Sequence, residues 1–293
     1  MKNLIHKFNS LPYFILIAFS ISLTACEDEI DLELEDSEPI LVVEGEFSDR
    51  DTIQFVKLSY TTNYFNQETP DFTLEQGATV VLRENETPID TFEFNTTTER
   101  FELKGKGTPG NNYSVYIKSA VNGKEYVSAS APMFQVPPID SIFYEFNDDL
   151  PFDNSGYEVK LRTLEPQPVG DYYQWKVYIN GFYLATSGDL SYASDELVRE
   201  DTLVFTAYFM PEDDLEDFLE IYPEVIVRIE QIEITKDFYN FISLVDEQTS
   251  SGGLFDSPPA QIQGNIFEIN SDNQAIGYFK VHSVTDATLK IEA

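Results

Sequence analysis

A nucleophile activated by a general base needs a histidine, and this sequence offers two, His6 and His282. His6 lies in an N-terminal leader, so a Ser-His-Asp arrangement rests on His282 alone. It stands in Tyr278-Phe279-Lys280-Val281-His282-Ser283, whose alternation reads as a strand with Tyr278, Lys280 and His282 on one face. That placement predicts a solvent-facing or edge histidine, not a base. One cysteine and two histidines are too few for a metal site built from several imidazoles or thiolates. Carboxylates are abundant: 52 Asp plus Glu against 18 Lys plus Arg give a formal charge of −34. That balance excludes a nucleic-acid binder, since nothing could release phosphate counterions. An oxygen-only Ca²⁺ site stays open, with acids clustered at Asp148, Asp149, Asp153 and Asn154, and again at Glu212, Asp213, Asp214, Glu216 and Asp217. Neither cluster has the spacing of an EF-hand loop, so both read as solvated faces and no cofactor is expected. Two acids at a set separation would suffice for glycan hydrolysis, but no local signature supports it, and no phosphate-cradling glycine loop is present. Aromatics are the remaining means of recognition. Tyr172 and Tyr178 fall on the outer face of one strand, Tyr183 lies just past a turn, and Phe255 follows the hinge Ser250-Ser251-Gly252-Gly253. These four form the candidate surface for a sugar, a peptide or a protein partner.

The elements that must position them are mainly strands. With 42% hydrophobic residues, 23 Phe and 17 Tyr, the chain can fill one large core or two ordinary ones, and its length favours two domains. Seven short alternating runs lie between Ile40 and Ala129, punctuated by Thr108-Pro109-Gly110-Asn111 and Asn122-Gly123. They predict an antiparallel sandwich of immunoglobulin or transthyretin type over residues 39–135. Val136-Pro137-Pro138 breaks the pattern and is the expected boundary. Residues 136–293 predict a second antiparallel β domain, sandwich or barrel-like. Its expected strands are Ile139 to Phe146, Tyr157 to Leu164, Asp171 to Ile179, Phe182 to Thr186, Thr202 to Phe209, Glu224 to Ile234, Gln261 to Ile269, Ala275 to Val284 and Thr288 to Glu292. In the third, Tyr173, Trp175, Val177 and Ile179 make the better core face, so the one tryptophan is expected to be structural. Phe238, Phe241, Ile242 and Val245 recur at helical spacing behind Thr235, predicting a packed helix over 236–248. A shorter second helix is expected from Leu215, Phe218, Leu219 and Tyr222.

The leader, residues 1–25, carries Lys2 and Lys7, an apolar run from Tyr13 to Ile21, and then Leu23-Thr24-Ala25-Cys26. The run is too short to span a bilayer as a helix and reads as a signal peptide. Leu-Thr-Ala-Cys resembles the bacterial lipobox, which implies that Cys26 receives a diacylglyceryl group and becomes the first residue of the mature chain. Losing Lys2 and Lys7 takes the charge from −34 to −36, leaves no thiol for a disulfide, and leaves His282 as the one histidine. Residues 26–38 form an acidic tether with eight acids in the twelve positions after Cys26. Glu27, Asp28 and Glu29, directly behind the cysteine, resemble the surface-export signal of Bacteroidota lipoproteins. Asp51-Thr52-Ile53, Asp140-Ser141-Ile142 and Asp201-Thr202-Leu203 look like Bacteroidota O-glycosylation acceptors, which makes Thr52, Ser141 and Thr202 candidate modification sites.

From Pro39 to the C-terminus the chain resembles a family of Bacteroidota outer-membrane lipoproteins, domain of unknown function 4249. The resemblance is carried by Pro39-Ile40-Leu41-Val42-Val43-Glu44-Gly45, Val136-Pro137-Pro138-Ile139-Asp140-Ser141-Ile142, and Asp171-Tyr172-Tyr173-Gln174-Trp175 with Asn180-Gly181. Tyr239, Phe255-Asp256-Ser257-Pro258-Pro259, Gly264-Asn265-Ile266 and Ala275-Ile276-Gly277-Tyr278-Phe279 complete it. It implies a surface-exposed lipoprotein that works with a TonB-dependent transporter, and it supplies no catalytic residues. The expectation is therefore a non-enzymatic binding protein that captures or presents a nutrient or docks to the transporter. An adhesin or structural envelope module is the alternative, and an acid-pair glycan hydrolase comes third.

Overall fold

Leu41, Val43, Gly45 and Phe47 alternate with Val42, Glu44 and Glu46, and in the computed structural model this run forms β1 (Leu41–Ser48) with its apolar face in the core. The structure describes residues 38–62, 73–150, 154–164, 166, 168–184, 191–196, 198, 202–212, 215, 224–249 and 262–292. β2 (Thr52–Tyr60), β3 (Thr73–Leu74), β4 (Thr79–Glu84), β5 (Thr87–Asn95), β6 (Arg100–Gly105), β7 (Asn112–Lys118), β8 (Glu125–Ser128) and β9 (Ala131–Pro132) follow. The ladder runs β1-β2-β6-β5-β4-β7-β8. β5 changes partner midway, pairing Phe92 with Val80 of β4 and Phe94 with Phe101 of β6. That change folds the ladder into two layers. Val43, Phe47, Val56 and Leu58 from one layer meet Val80, Leu82, Val115 and Ile117 from the other in a single core. The expected sandwich is present.

The second half contains β10 (Ile139–Leu150), β11 (Asn154–Leu164), β12 (Tyr172–Ile179), β13 (Phe182–Tyr183), β14 (Ser191–Ser194), β15 (Thr202–Pro211), β16 (Glu224–Ile234), helix α1 (Lys236–Thr249), β17 (Ile266–Glu268) and β18 (Ile276–Glu292). β10, β11 and β15 form a three-stranded sheet, whereas β12 and β16 join the main ladder through β18. Val159, Leu161 and Met210 of the small sheet pack on Tyr173, Trp175, Val177 and Ile179, so the tryptophan is a core residue as expected. The turn after β12 holds Asn180 and Gly181 at φ +48° and +86°, as the hairpin signal requires. α1 is capped by the Thr235 hydroxyl, which accepts the Phe238 N–H at 3.2 Å. Its buried Phe238 and Ile242 pack on Tyr172, Ile232, Ile234 and Tyr278, worth about 1.5–3 kcal/mol each.

Two expectations are corrected. The described part of the stretch between the expected strands Ile139 to Phe146 and Tyr157 to Leu164 is itself strand, because Asn147 pairs with Gly156 and Leu150 with Asn154. The two expected C-terminal strands are one, β18, since the polar residues between Val284 and Leu289 still pair with β16. Most of the region of the expected second helix lies outside the described residues, where Leu215 alone of its apolar set is described, and is buried.

β18 is also where the two halves meet. Its first part runs parallel to β1, Val43 opposite Gly277 and Ser48 opposite His282, and its second part runs antiparallel to β16. The sandwich core accordingly contains Ile266, Ala275, Phe279 and Val281 from the far end of the chain. The Val136-Pro137-Pro138 connector is pinned on both sides. Val136 N–H donates to the Ser283 hydroxyl at 2.8 Å, and the Gln231 amide donates to Pro137 O at 3.0 Å while accepting from the Trp175 indole at 3.2 Å. Pro39–Ala293 form one compact unit that includes this connector. Packing at the join is close. Gly277 sits at φ +97°, and a Cβ there would stand 2.0 Å from Val43 O, while one on Gly264 would stand 1.7 Å from Gly277 O. The Asn265 side chain completes the strand edge, donating to Phe279 O at 3.0 Å and accepting Phe279 N–H at 2.9 Å.

Candidate functional site

The face of the main sheet opposite the Trp175 core is built by every second residue of four strands. β12 contributes Tyr172, Gln174, Lys176 and Tyr178; opposite them on β16 stand Ile234, Ile232, Glu230 and Arg228. β18 adds Tyr278, Lys280, His282, Val284 and Asp286, and β1 adds Glu46 opposite Lys280. One end of this face is apolar and covered by α1; the rest is charged.

The predicted aromatic surface separates into two environments. Tyr172 is buried, its ring 5.0 Å from Tyr239 of α1 and its hydroxyl donating to Glu196 at 3.2 Å. Tyr178 and Tyr183 come together at the other end, ring centroids 5.3 Å apart. The Arg228 guanidinium lies 3.9 Å over the Tyr178 ring, and the Tyr178 hydroxyl donates to Glu230 at 3.0 Å. Burial, and then the charge of Glu230, push that phenol up to about 12. Tyr178 is thus engaged within the fold. Tyr183 remains 42% exposed beside Phe182 at 70%, with the Lys176 ammonium 5.8 Å from its ring. Phe255 lies outside the described residues, as do Cys26, Glu27, Asp28 and Glu29.

Sequence reasoning missed the charged network on this face. Arg50, just past β1, reaches Glu230 at 2.6 Å and also pairs with Asp286, and Arg228 pairs with Glu230. Lys280 is buried and meets Glu46 at 3.1 Å. Burial pulls the Lys280 ammonium down to about 8, more than Glu46 returns. Burial also raises Glu46, but Lys280, His282 and Lys176 together outweigh it and hold the carboxyl at about 2. Both members are therefore charged at neutral pH. A warning was legible in the sequence: Lys280 and His282 sit two apart in a strand whose intervening residues are apolar, which places both on a single face.

His282 is buried, not solvent-facing, which corrects the expectation for it. β18 pairs with β1 up to His282 and with β16 from Ser283, so His282 stands where the two ladders meet. Burial, and then the Lys280 charge, lower the imidazole well below its usual value, and its Nδ1 has no hydrogen-bond partner. Its Nδ1 therefore lacks the carboxylate that a triad places there. Of the candidate modification sites, Thr52 is exposed at the start of β2, whereas Ser141 in β10 and Thr202 at the start of β15 are half-buried. Among the described residues no three His, Cys, Asp or Glu side chains gather as a metal site. Of the two acid clusters read from the sequence, Asp148 and Asp149 lie in β10, Asn154 opens β11 and Glu212 follows β15, while Asp153, Asp213, Asp214, Glu216 and Asp217 lie outside the described residues.

No curated protein matches the chain. A family model, Domain of unknown function (DUF4249), matches residues 27–288, beginning at the residue behind Cys26 and ending inside β18. With the match extending over nearly the whole sequence, the chain belongs to the DUF4249 family.

Proposed function

We propose that this protein is a lipid-anchored component of the outer membrane, facing the medium, that works by binding: it captures or presents a nutrient beside a TonB-dependent transporter or docks to the transporter itself. The observation that carries this reading is the order of segments behind Cys26. Twelve residues rich in acid separate it from a compact β body that begins at Pro39. Stretched, those twelve residues reach about 40 Å at roughly 3.3–3.6 Å each, enough to hold the body clear of a lipid surface while keeping it local to a channel. Among the described residues no helix is long and apolar enough to cross a membrane, and the acyl chains would supply the attachment. The exposed hairpin tip with Phe182, Tyr183 and Lys176 is the part of the body with the chemistry to meet a partner or a sugar. The test is affinity capture of the native protein from outer membranes in mild detergent, alongside Cys26→Ser. Co-purification of a transporter with the native protein, and loss of membrane association in the variant, are expected. Membrane retention of Cys26→Ser would overturn the anchor, and capture without a transporter would overturn the partner.

A further inference from the structure

Asp195 follows directly on β14 and is 1% exposed. Its Oδ1 accepts two backbone N–H groups, from Gly170 at 2.7 Å and Asp171 at 3.0 Å, and its own N–H donates to Asp171 O at 3.1 Å. These bonds close the chain ahead of β12 onto the end of β14. Its Oδ2 is buried and has no hydrogen-bond partner. An ionised carboxylate oxygen held away from water without a donor is costly, and native folds rarely leave one so. Asp171, bonded to Asp195 through its own N–H, brings a second acid to the same junction. Among the described residues neither acid is ion-paired to a lysine or arginine.

We propose that Asp171 and Asp195 bind a hard divalent cation, Ca²⁺ or Mg²⁺, at the junction of β12 and β14. Oxygen ligands without imidazole or thiolate select this class over zinc or copper. Two carboxylates leave room for water and backbone carbonyls in the shell, as Mg²⁺ sites usually have and Ca²⁺ sites tolerate. The ion would lock the residue just ahead of β12, the strand whose far end carries the Tyr178–Tyr183 hairpin. The site is independent of the anchor and of the transporter, so either can fail alone.

The test uses the full-length protein in detergent, stripped with EDTA and returned to CaCl₂ or MgCl₂ at constant ionic strength. Thermal unfolding is read alongside Tb³⁺ luminescence, with Tyr172, Tyr173 and Trp175 in the adjoining strand as sensitisers. One of the two cations is expected to raise the melting temperature and displace Tb³⁺. Asp195→Asn keeps the Oδ1 acceptor for Gly170 and Asp171 but puts an NH₂ where the bare oxygen was; it should weaken that response by about tenfold or more. Asp171→Asn should do likewise, which guards against one variant failing to fold. A response that survives intact in both variants belongs to other acids and overturns the proposal. So does the absence of any cation-specific response, with Asp195→Asn raising the melting temperature in EDTA, which would mean that the two carboxyls share a proton.

Discussion

Replacing Asn265 by alanine tests whether β18 couples the two cores. The Asn265 amide satisfies both the N–H and the C=O of Phe279, a residue buried in the sandwich core. Removing it orphans two buried backbone groups, at about 1–3 kcal/mol each, so the expected loss is about 4 kcal/mol, roughly a thousandfold in the folding equilibrium. With an m-value of about 3 kcal/mol/M, the urea midpoint should fall by about 1.3 M. The assay is Trp175 fluorescence, and its value lies in the location of the reporter. Trp175 sits in the second core, away from Asn265, and is the one tryptophan of the sequence. If β18 makes the body cooperative, the fluorescence transition moves as far as that seen by circular dichroism. Asn265→Asp, which still accepts from Phe279 N–H but cannot donate to its carbonyl, should fall between. A fluorescence midpoint that stays in place while circular dichroism shows an earlier transition would refute the coupling and divide the body at the proline connector.

Glu46 and His282 should govern different parts of the acid limb. The Glu46 carboxyl is held at about 2, below its usual 4.5, so its contribution is present above pH 4.5 and is lost as pH falls toward 2; the difference amounts to about 3 kcal/mol. Glu46→Gln should remove that segment of the stability–pH curve. His282 is lowered below 6.5, so the unfolded chain takes up its proton first, and stability should begin to fall as pH drops through 6.5. That slope should be missing in His282→Leu, as followed by urea titrations at stepped pH. Gly277→Ala should cost more than about 3 kcal/mol or abolish soluble expression, because its Cβ would meet Val43 O at φ +97°; a melting temperature unchanged from wild type would contradict the close approach.

The sandwich, the capped helix and the Trp175 core were legible because each depends on local periodicity: Tyr173, Trp175, Val177 and Ile179 could face only one way. The pairing of β18 with β1 was not legible, since no local pattern says which distant strand completes an edge. For the same reason Gly264, Asn265 and Gly277 stood in the sequence as family signatures without a reason, and the fold supplies one, the close approach of Gly264 to Gly277, of Gly277 to Val43, and of Asn265 to Phe279. The aromatic surface was half legible. Alternation put Tyr172 and Tyr178 on one face, but it could not tell that α1 would cover the first and Arg228 the second. The buried Lys280 and His282 were misjudged because polar residues at alternate positions imply solvent only when nothing packs on that face.

The parallel pairing joins β1, the first strand, to β18, the last. A chain emerging from the ribosome would build most of its sandwich with one strand position vacant, and no local contact could fill it. Contact order this high slows folding, because the loop between the partners must close before any of their contacts form. The native state therefore becomes reachable only once β18, at the far end of the sequence, has been made.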